Sequence, residues 1–292
     1  MRRGYLIDMD GVMYRGKDLL PGAGEFVEQM QRQGIPFLFL TNNSAPTAED
    51  LAVKMKHLGL PGISPKQFYT SAMNTADFLA QNHTGCTAYL LGDEGLAAAM
   101  NAQGIPNDAI KPDYVVVGEG NPSMERLAKA HQFIENGALL VATNPDNWCP
   151  MAGGTSRPGA GSTASFLEAS TGRPAYYLGK PNGFMFQCAR ARLLRQACRN
   201  VDQVVMIGDT METDIRGANE SGLMSYLVLT GSTTLEEVSA YVYRPTRILQ
   251  GVADLAQEME TGKERPLVVI QGGASLRKTA PRLNLPRPML AS

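Results

Sequence analysis

Two aspartates stand one residue apart where an apolar run ends, in Tyr5-Leu6-Ile7-Asp8-Met9-Asp10-Gly11. Two other apolar runs end in polar residues. Phe37-Leu38-Phe39-Leu40 leads into Thr41-Asn42-Asn43-Ser44, and Val204-Val205-Met206-Ile207 leads into Gly208-Asp209, with Asp214 five residues further on. Lys180 leaves a fourth run, in Tyr177-Leu178-Gly179-Lys180-Pro181. In an open parallel sheet the carboxyl ends of neighbouring strands share one edge, and ligands bind there. If these strands are neighbours, Asp8, Asp10 and Asp209 meet beside Thr41 and Lys180. Two unit negative charges about 4 Å apart repel by about 4 kcal/mol at an effective dielectric of about 20, so such a set needs a cation. Hard oxygen ligands suit Mg²⁺, which keeps several waters and shares a substrate phosphate. The turn at Gly11 can aim backbone N–H groups at an anion, Thr41 offers a hydroxyl, and Lys180 is a compact positive charge for a phosphate and an aspartate to share. Together these parts describe a phosphoryl-transfer site.

The elements that must position them read as α/β. Strand candidates are 5–7, 35–40, 87–91, 113–117, 138–142, 175–178, 203–207 and 225–229. All are short apolar runs without strict alternation, as in parallel strands covered on both faces. Helical stripes alternate with them at 22–33 (Phe26, Val27, Met30), 48–58 (Leu51, Met55, Leu58), 94–103, 123–136, 161–170, 183–199 and 212–221. About thirty residues separate Asp10 from Thr41, whereas the stretch from Thr41 to Lys180 has room for a second α/β unit over roughly residues 80–174.

Composition excludes several classes. The chain has 292 residues, 43% hydrophobic and 19% charged, with a formal net charge of −1. That balance attracts neither nucleic acid nor a membrane surface. No apolar run reaches the roughly 18 residues that span a bilayer, and the N-terminal apolar stretch meets acids after three residues, so a cytoplasmic protein is expected. Cys86, Cys149, Cys188 and Cys198 lack metal or disulfide spacing and read as free thiols. His83 and His131 have no partners at metal spacing, and His57, which follows a helical stripe, reads as a surface or packing residue. From Gly262 the chain turns basic and proline-rich; it reads as a loosely ordered extension over 262–292, or else as an arm for an anionic partner.

The segments DMDG, LTNNS, GKP and GDTMETD, in this order, resemble the four motifs of the haloacid-dehalogenase-like superfamily, closest to its NagD-type phosphatases. The likeness extends to about residue 260. It implies a doubly wound, mostly parallel, Rossmann-like core over 1–79 and 175–261, with a smaller α/β cap domain inserted at 80–174. By resemblance Asp8 is the nucleophile, which forms an aspartyl phosphate. Asp10 is the general acid and base, its pKa expected to rise because its neighbours are negative. Gly11, Thr41 and the backbone of Asn42 hold the phosphoryl group, and Lys180 orients Asp8. Mg²⁺ is bound by Asp8, the backbone carbonyl of Asp10, Asp209 and, directly or through water, Asp214. Dehalogenases of the superfamily lack an acid two residues after the nucleophile, so Asp10 favours phosphate chemistry.

The cap is expected to select the leaving group. Residues 144–162, rich in glycine and proline, carry Asp146, Trp148 and Arg157 as candidate substrate contacts; the plainer reading is a packed surface loop that Trp148 anchors. Relatives acting on pyridoxal phosphate have a histidine after the tryptophan, where this chain has Cys149. The resulting expectation is a Mg²⁺-dependent phosphatase for a small phosphorylated metabolite, such as a nucleotide monophosphate or a sugar phosphate. Transfer of the phosphoryl group to an alcohol, and a non-catalytic sensor of a phosphorylated ligand, are the alternatives. Neither nucleic acid nor membrane is expected as a partner, and a homodimer stays open.

Overall fold

The computed structural model describes residues 2–150, 155–197 and 200–264. In chain order its elements are β1 (Arg3–Ile7), a hairpin of β2 (Tyr14–Arg15) and β3 (Asp18–Leu19), α1 (Ala23–Gln33), β4 (Phe37–Thr41), α2 (Ala48–His57), β5 (Phe68–Thr70), α3 (Ser71–Asn82), β6 (Ala88–Leu91), α4 (Glu94–Ala102), β7 (Tyr114–Val117), α5 (Met124–Glu135) and β8 (Leu139–Ala142). There follow β9 (Trp148–Pro150), β10 (Ser156–Pro158), α6 (Ala160–Thr171), β11 (Tyr176–Tyr177), α7 (Gly183–Gln196), β12 (Gln203–Gly208), a π-helical turn (Met211–Ile215), α8 (Arg216–Glu220), β13 (Met224–Val228), β14 (Arg247–Leu249) and α9 (Val252–Thr261). No helix among the described residues is long and apolar enough to cross a membrane.

Two parallel sheets result. The larger has the order β14-β13-β12-β1-β4-β5 and the smaller β11-β8-β7-β6. In the larger sheet alternate residues serve opposite faces. Tyr5, Ile7, Phe37, Phe39, Val205 and Ile207 pack with α1, α2 and α9, while Leu6, Leu38, Leu40, Val204 and Met206 pack with α7. Both faces are therefore buried, and the uninterrupted apolar runs are the consequence. The smaller sheet is built alike: Ala88, Leu90 and Val116 face α3 and α4, and Tyr89, Leu91 and Val115 face α5 and α6. The doubly wound, mostly parallel α/β class with a second α/β unit is thus the observed one.

Local rules explain why the helices sit where they do. In α1, Phe26, Val27 and Met30 form the buried stripe, and Gly34 closes the helix in the left-handed region. In α2, Thr47 and Asp50 make a reciprocal capping box, and Leu51 and Met55 turn inward.

The eight expected strands are all present. The edge strands β5 and β14, the hairpins, and helices α3 and α9 add to them. The segment 212–221 divides into the π-helical turn and α8, and the helix expected over 183–199 ends at Gln196. Tyr176–Tyr177, expected with the residues that follow them, pair instead with β8 in the smaller sheet. Residues 144–162, read as a loop, contain the antiparallel hairpin β9–β10. Residues 265–292, which hold nearly all of the basic extension, and Cys198 lie outside the described residues; Cys86, Cys149 and Cys188 are free thiols.

The π-helical turn folds back on the end of β12 so closely that a Cβ at Gly208 would lie 2.2 Å from Cβ of Asp214. Gly208→Ala is expected to cost about 1–3 kcal/mol in chemical denaturation, the usual range for overpacking. Gly24 lies inside α1 with only Leu60 nearby, at 3.9 Å. Gly24→Ala is expected to leave stability unchanged or raise it by up to about 1 kcal/mol.

Candidate active site

The strand order places β12, β1 and β4 side by side, so the residues that follow them share one edge. Asp8 follows β1, Thr41 ends β4 and Asp209 follows β12. Lys180 arrives differently, from the end of β11 in the smaller sheet, and is 3% exposed. Its Nζ donates to Asp8 Oδ1 at 2.6 Å and to Asp214 Oδ1 at 2.7 Å. Asp8, Asp209 and Asp214 each offer a carboxylate oxygen within 4.8 Å of the others. Of the sequence-predicted centre, Asp8, Lys180, Asp209 and Asp214 are thus brought together from segments up to 206 residues apart, Asp8 and Asp214 being the extremes.

The electrostatics are those of a buried, acid-rich cluster. Burial raises the pKa of Asp8 to about 6, with Lys180 opposing and Asp209 adding to the shift. Asp214 is raised to about 6 by burial too, again against Lys180. Burial also raises Asp209, with Asp214 adding to it and Ser232 opposing. For Lys180, burial works against the charge but Asp214 and Asp8 outweigh it, so its pKa is raised and the ammonium persists. When all three acids are ionised, one lysine leaves two negative charges uncompensated, and hard oxygen donors of that charge fit a divalent cation.

Asp10 stands apart from that group. It is solvent-exposed, and its carboxylate is not among the three clustered acids. Its pKa is raised, as expected, but the cause differs: desolvation raises it, and the charges acting on it, Lys54 and Arg15, are positive and lower it. Lys54 lies over the Tyr14 ring at 3.7 Å from the centroid.

Gly11 also acts otherwise than as an anion cradle. Its N–H donates to the Tyr14 carbonyl at 2.9 Å, within the turn. What glycine supplies is space: with φ +78°, a Cβ here would sit 2.7 Å from Asp209 Oδ2. Thr41 is buried, and its Oγ1 accepts from the Asn43 N–H at 3.1 Å.

Asn42 does more than its backbone suggested. Its Oδ1 accepts the Lys180 N–H at 2.7 Å, and its Nδ2 donates to the Lys180 carbonyl at 3.1 Å. One amide therefore clamps both backbone groups of the lysine. The same Nδ2 donates to Asp146 Oδ2 at 3.1 Å. The Asn42 carbonyl accepts from Ser71 Oγ and Asn144 Nδ2.

The three cap candidates separate. Asp146 reaches the centre through Asn42, and burial raises its pKa. Arg157 pairs with Glu119 at 3.3 Å and donates to the Gly120 carbonyl at 3.0 Å. Trp148 is 63% exposed, so it does not anchor the hairpin by burial. Sequence reasoning passed over Glu119, the side chain of Asn42, and the Gly231-Ser232-Thr233 loop, whose Ser232 N–H holds Asp209 Oδ2 at 2.6 Å. Only an acid directly after an apolar strand end, in Val117-Gly118-Glu119, could have pointed to the first.

A doubly wound α/β core carries a buried carboxylate–lysine centre at its strand ends, and comparison with known proteins gives its class. The family profile described as haloacid dehalogenase-like hydrolase matches residues 5–106, and one described as HAD-hydrolase-like matches residues 177–255. A dihydroxyacetone phosphatase of Corynebacterium glutamicum is 39% identical over 254 residues, 86% of this chain and 90% of the relative. Among solved structures, NagD of E. coli K-12 superposes with a TM-score of 0.78 at 33% identity, covering 86% of this chain and 97% of NagD. A glycerol phosphate phosphatase of Mycobacterium tuberculosis, in complex with magnesium, gives 0.80 at 32% identity, covering 89% and 77%. The chain belongs to the haloacid dehalogenase-like hydrolase family, as an enzyme of its NagD-like phosphatase group.

Removing the ammonium leaves Asp8 and Asp214 buried without their partner. Lys180→Met is expected to cost about 3 kcal/mol of stability at about pH 7.5. At about pH 5 both acids hold protons, because their pKa values already lie near 6 with the lysine present. The loss is therefore expected to be smaller there. Denaturant titrations of both proteins at the two pH values check this; an equal loss at both would contradict it.

Proposed function

We propose that the enzyme is a Mg²⁺-dependent phosphatase that passes the phosphoryl group of a small phosphomonoester first to Asp8 and then to water. The observation that carries this reading is Lys180 bridging Asp8 and Asp214 inside a three-acid cluster at the carboxyl edge of the larger sheet. Lys180 engages one oxygen of Asp8 and so fixes the carboxylate; the other oxygen attacks phosphorus. The bond from phosphorus to the leaving oxygen breaks as Asp10 delivers a proton to that oxygen. In the second step a water oxygen attacks phosphorus and Asp10 takes up its proton. The Asp8–phosphorus bond breaks, inorganic phosphate leaves, and both aspartates are restored. A group that gives and regains a proton works best with a pKa near working pH, and the raised pKa of Asp10 lies in that direction. Thr41 and the Asn42 backbone hold the phosphoryl oxygens.

Asp8, Asp209 and Asp214 would hold the Mg²⁺, joined by the backbone carbonyl of Asp10. When bound, the ion supplies charge neutralisation at the phosphoryl oxygens. The larger sheet with its helices serves as the catalytic core, and the β6–β8 and β11 sheet with its helices and hairpin serves as the cap. A dihydroxyacetone phosphatase and a glycerol phosphate phosphatase among the relatives direct the substrate search to three-carbon phosphates.

With p-nitrophenyl phosphate the wild-type protein is expected to release phosphate in Mg²⁺ and to stop when EDTA is added. Asp8→Asn is expected to lower turnover at least about a thousandfold with an unchanged unfolding midpoint; appreciable residual hydrolysis removes Asp8 as the nucleophile. Asp209→Asn is expected to raise the Mg²⁺ concentration for half-maximal rate about tenfold or more, with partial recovery at saturating metal. An unchanged metal requirement would show that Asp209 is not a ligand.

A further inference from the structure

Glu119 follows β7 and is 2% exposed, yet no step above uses it. A buried carboxylate needs several donors and a cation, and Glu119 draws them from separate segments. Asn144 Nδ2, after β8, donates to its Oε1 at 3.2 Å. Cys149 Sγ, on β9, donates to its Oε2 at 2.6 Å, and Arg157 of β10 lies 3.3 Å from the same oxygen. Both strands of the hairpin are thus tied to one side chain. The backbone of Glu119 makes the opposite connection: its N–H donates to Ser44 Oγ at 2.8 Å, in the loop that begins with Thr41 and Asn42. Ser44 is fully buried, and Thr143 Oγ1 also donates to it at 3.0 Å. Asn144 donates to the Asn42 carbonyl at 2.8 Å as well, so a second path joins the same two places.

From this convergence we infer that Glu119 is a positioning residue that fixes the β9–β10 hairpin relative to the phosphate-holding loop, and thereby sets how leaving groups are bound without taking part in phosphoryl transfer. The inference rests on the phosphatase reading for its kinetic part alone. The Cys149 thiol contributes as a hydrogen-bond donor: burial and then Glu119 push its pKa up to about 12, so it keeps its proton. Arg157 contributes the balancing charge; without it Glu119 would be an unpaired buried anion.

Trp148 opens the hairpin and is the chain's single tryptophan, so its fluorescence reports this segment alone. In the full-length protein, Glu119→Ala is expected to lower the steady-state anisotropy of Trp148 while far-ultraviolet circular dichroism is unchanged. With p-nitrophenyl phosphate at saturating Mg²⁺ it is expected to raise KM about fivefold or more while kcat stays within about threefold. Glu119→Gln keeps the side-chain shape and one acceptor oxygen, and is expected to recover much of both properties. Wild-type anisotropy and KM in Glu119→Ala, or a loss confined to kcat, overturns the inference. Should Glu119→Ala fail to fold, Arg157→Met cuts the tie from the hairpin's side and must itself lower the anisotropy; an unchanged signal there overturns the inference equally. Anisotropy is read without substrate, so a wild-type protein inert towards p-nitrophenyl phosphate defeats the phosphatase reading and leaves the fluorescence to judge the tie.

Discussion

One ammonium group holds this centre together. Asp8, Asp209 and Asp214 are each less than a tenth exposed and bring oxygens within 4.8 Å of one another. Such a cluster is strained in proportion to its burial, which is why burial raises all three pKa values. Lys180 offsets part of that strain at all three acids, bonding Asp8 and Asp214 directly, and its own charge is held by those two in return. The fold is arranged around bringing that lysine in. It does not come from a strand of the larger sheet, where the three acids originate, but from the last strand of the smaller one, and the chain crosses between sheets in the residues just before it. The smaller unit therefore supplies the cation of this centre.

This crossing explains the density of polar contacts around Asn42. A residue delivered from another sheet needs its backbone fixed as well as its side chain, and the Asn42 amide grips both the N–H and the carbonyl of Lys180. Gly179 is pressed into the same place: a Cβ there would lie 2.6 Å from the Thr143 carbonyl and 2.7 Å from Asn42 Oδ1. Buried polar networks rigidify when every member is satisfied. Here the satisfied members run from Ser71 and Asn42 through Asn144 to Glu119, and so from the larger sheet's edge to the hairpin.

How much of this was legible in the sequence depends on the length scale of the signal. The apolar runs that become β1, β4 and β12 are uninterrupted because both faces are covered, and their acid or hydroxyl endings mark the active edge directly. β5 and β14 were illegible because each is three residues long and lies at an edge of the sheet. Helix α3 was missed because its buried stripe rests on Ala72, Ala76 and Leu79, and alanines give a weak periodic signal. That Asp8 and Asp209 meet beside Lys180 could be read; that Asp10 stays outside their cluster, and the company it keeps, could not. Proximity in sequence suggested negative neighbours for Asp10, whereas folding brings Lys54 from α2 and Arg15 from β2 towards it. Spacing shows where a side chain enters a site; the charges that face it come from elements whose arrangement only the tertiary structure decides.

The same distinction bears on selectivity. The residues proposed to handle the phosphoryl group sit at or just after strand ends of the larger sheet, with Lys180 beyond the end of β11. The hairpin belongs to neither sheet: among the described residues β9 and β10 pair only with each other, and Trp148 at its start faces solvent. Side-chain ties from Glu119 to Cys149 and Arg157 hold it, beside the backbone bonds from the Gly159 and Gly161 N–H groups to the Asn147 and Asp146 carbonyls. A site divided in this way can keep its phosphoryl chemistry constant while a few substitutions in or under the hairpin change the leaving group it accepts. On the proposed reading, this division directs the search for this chain's leaving-group contacts to residues 119–158, outside the four motifs.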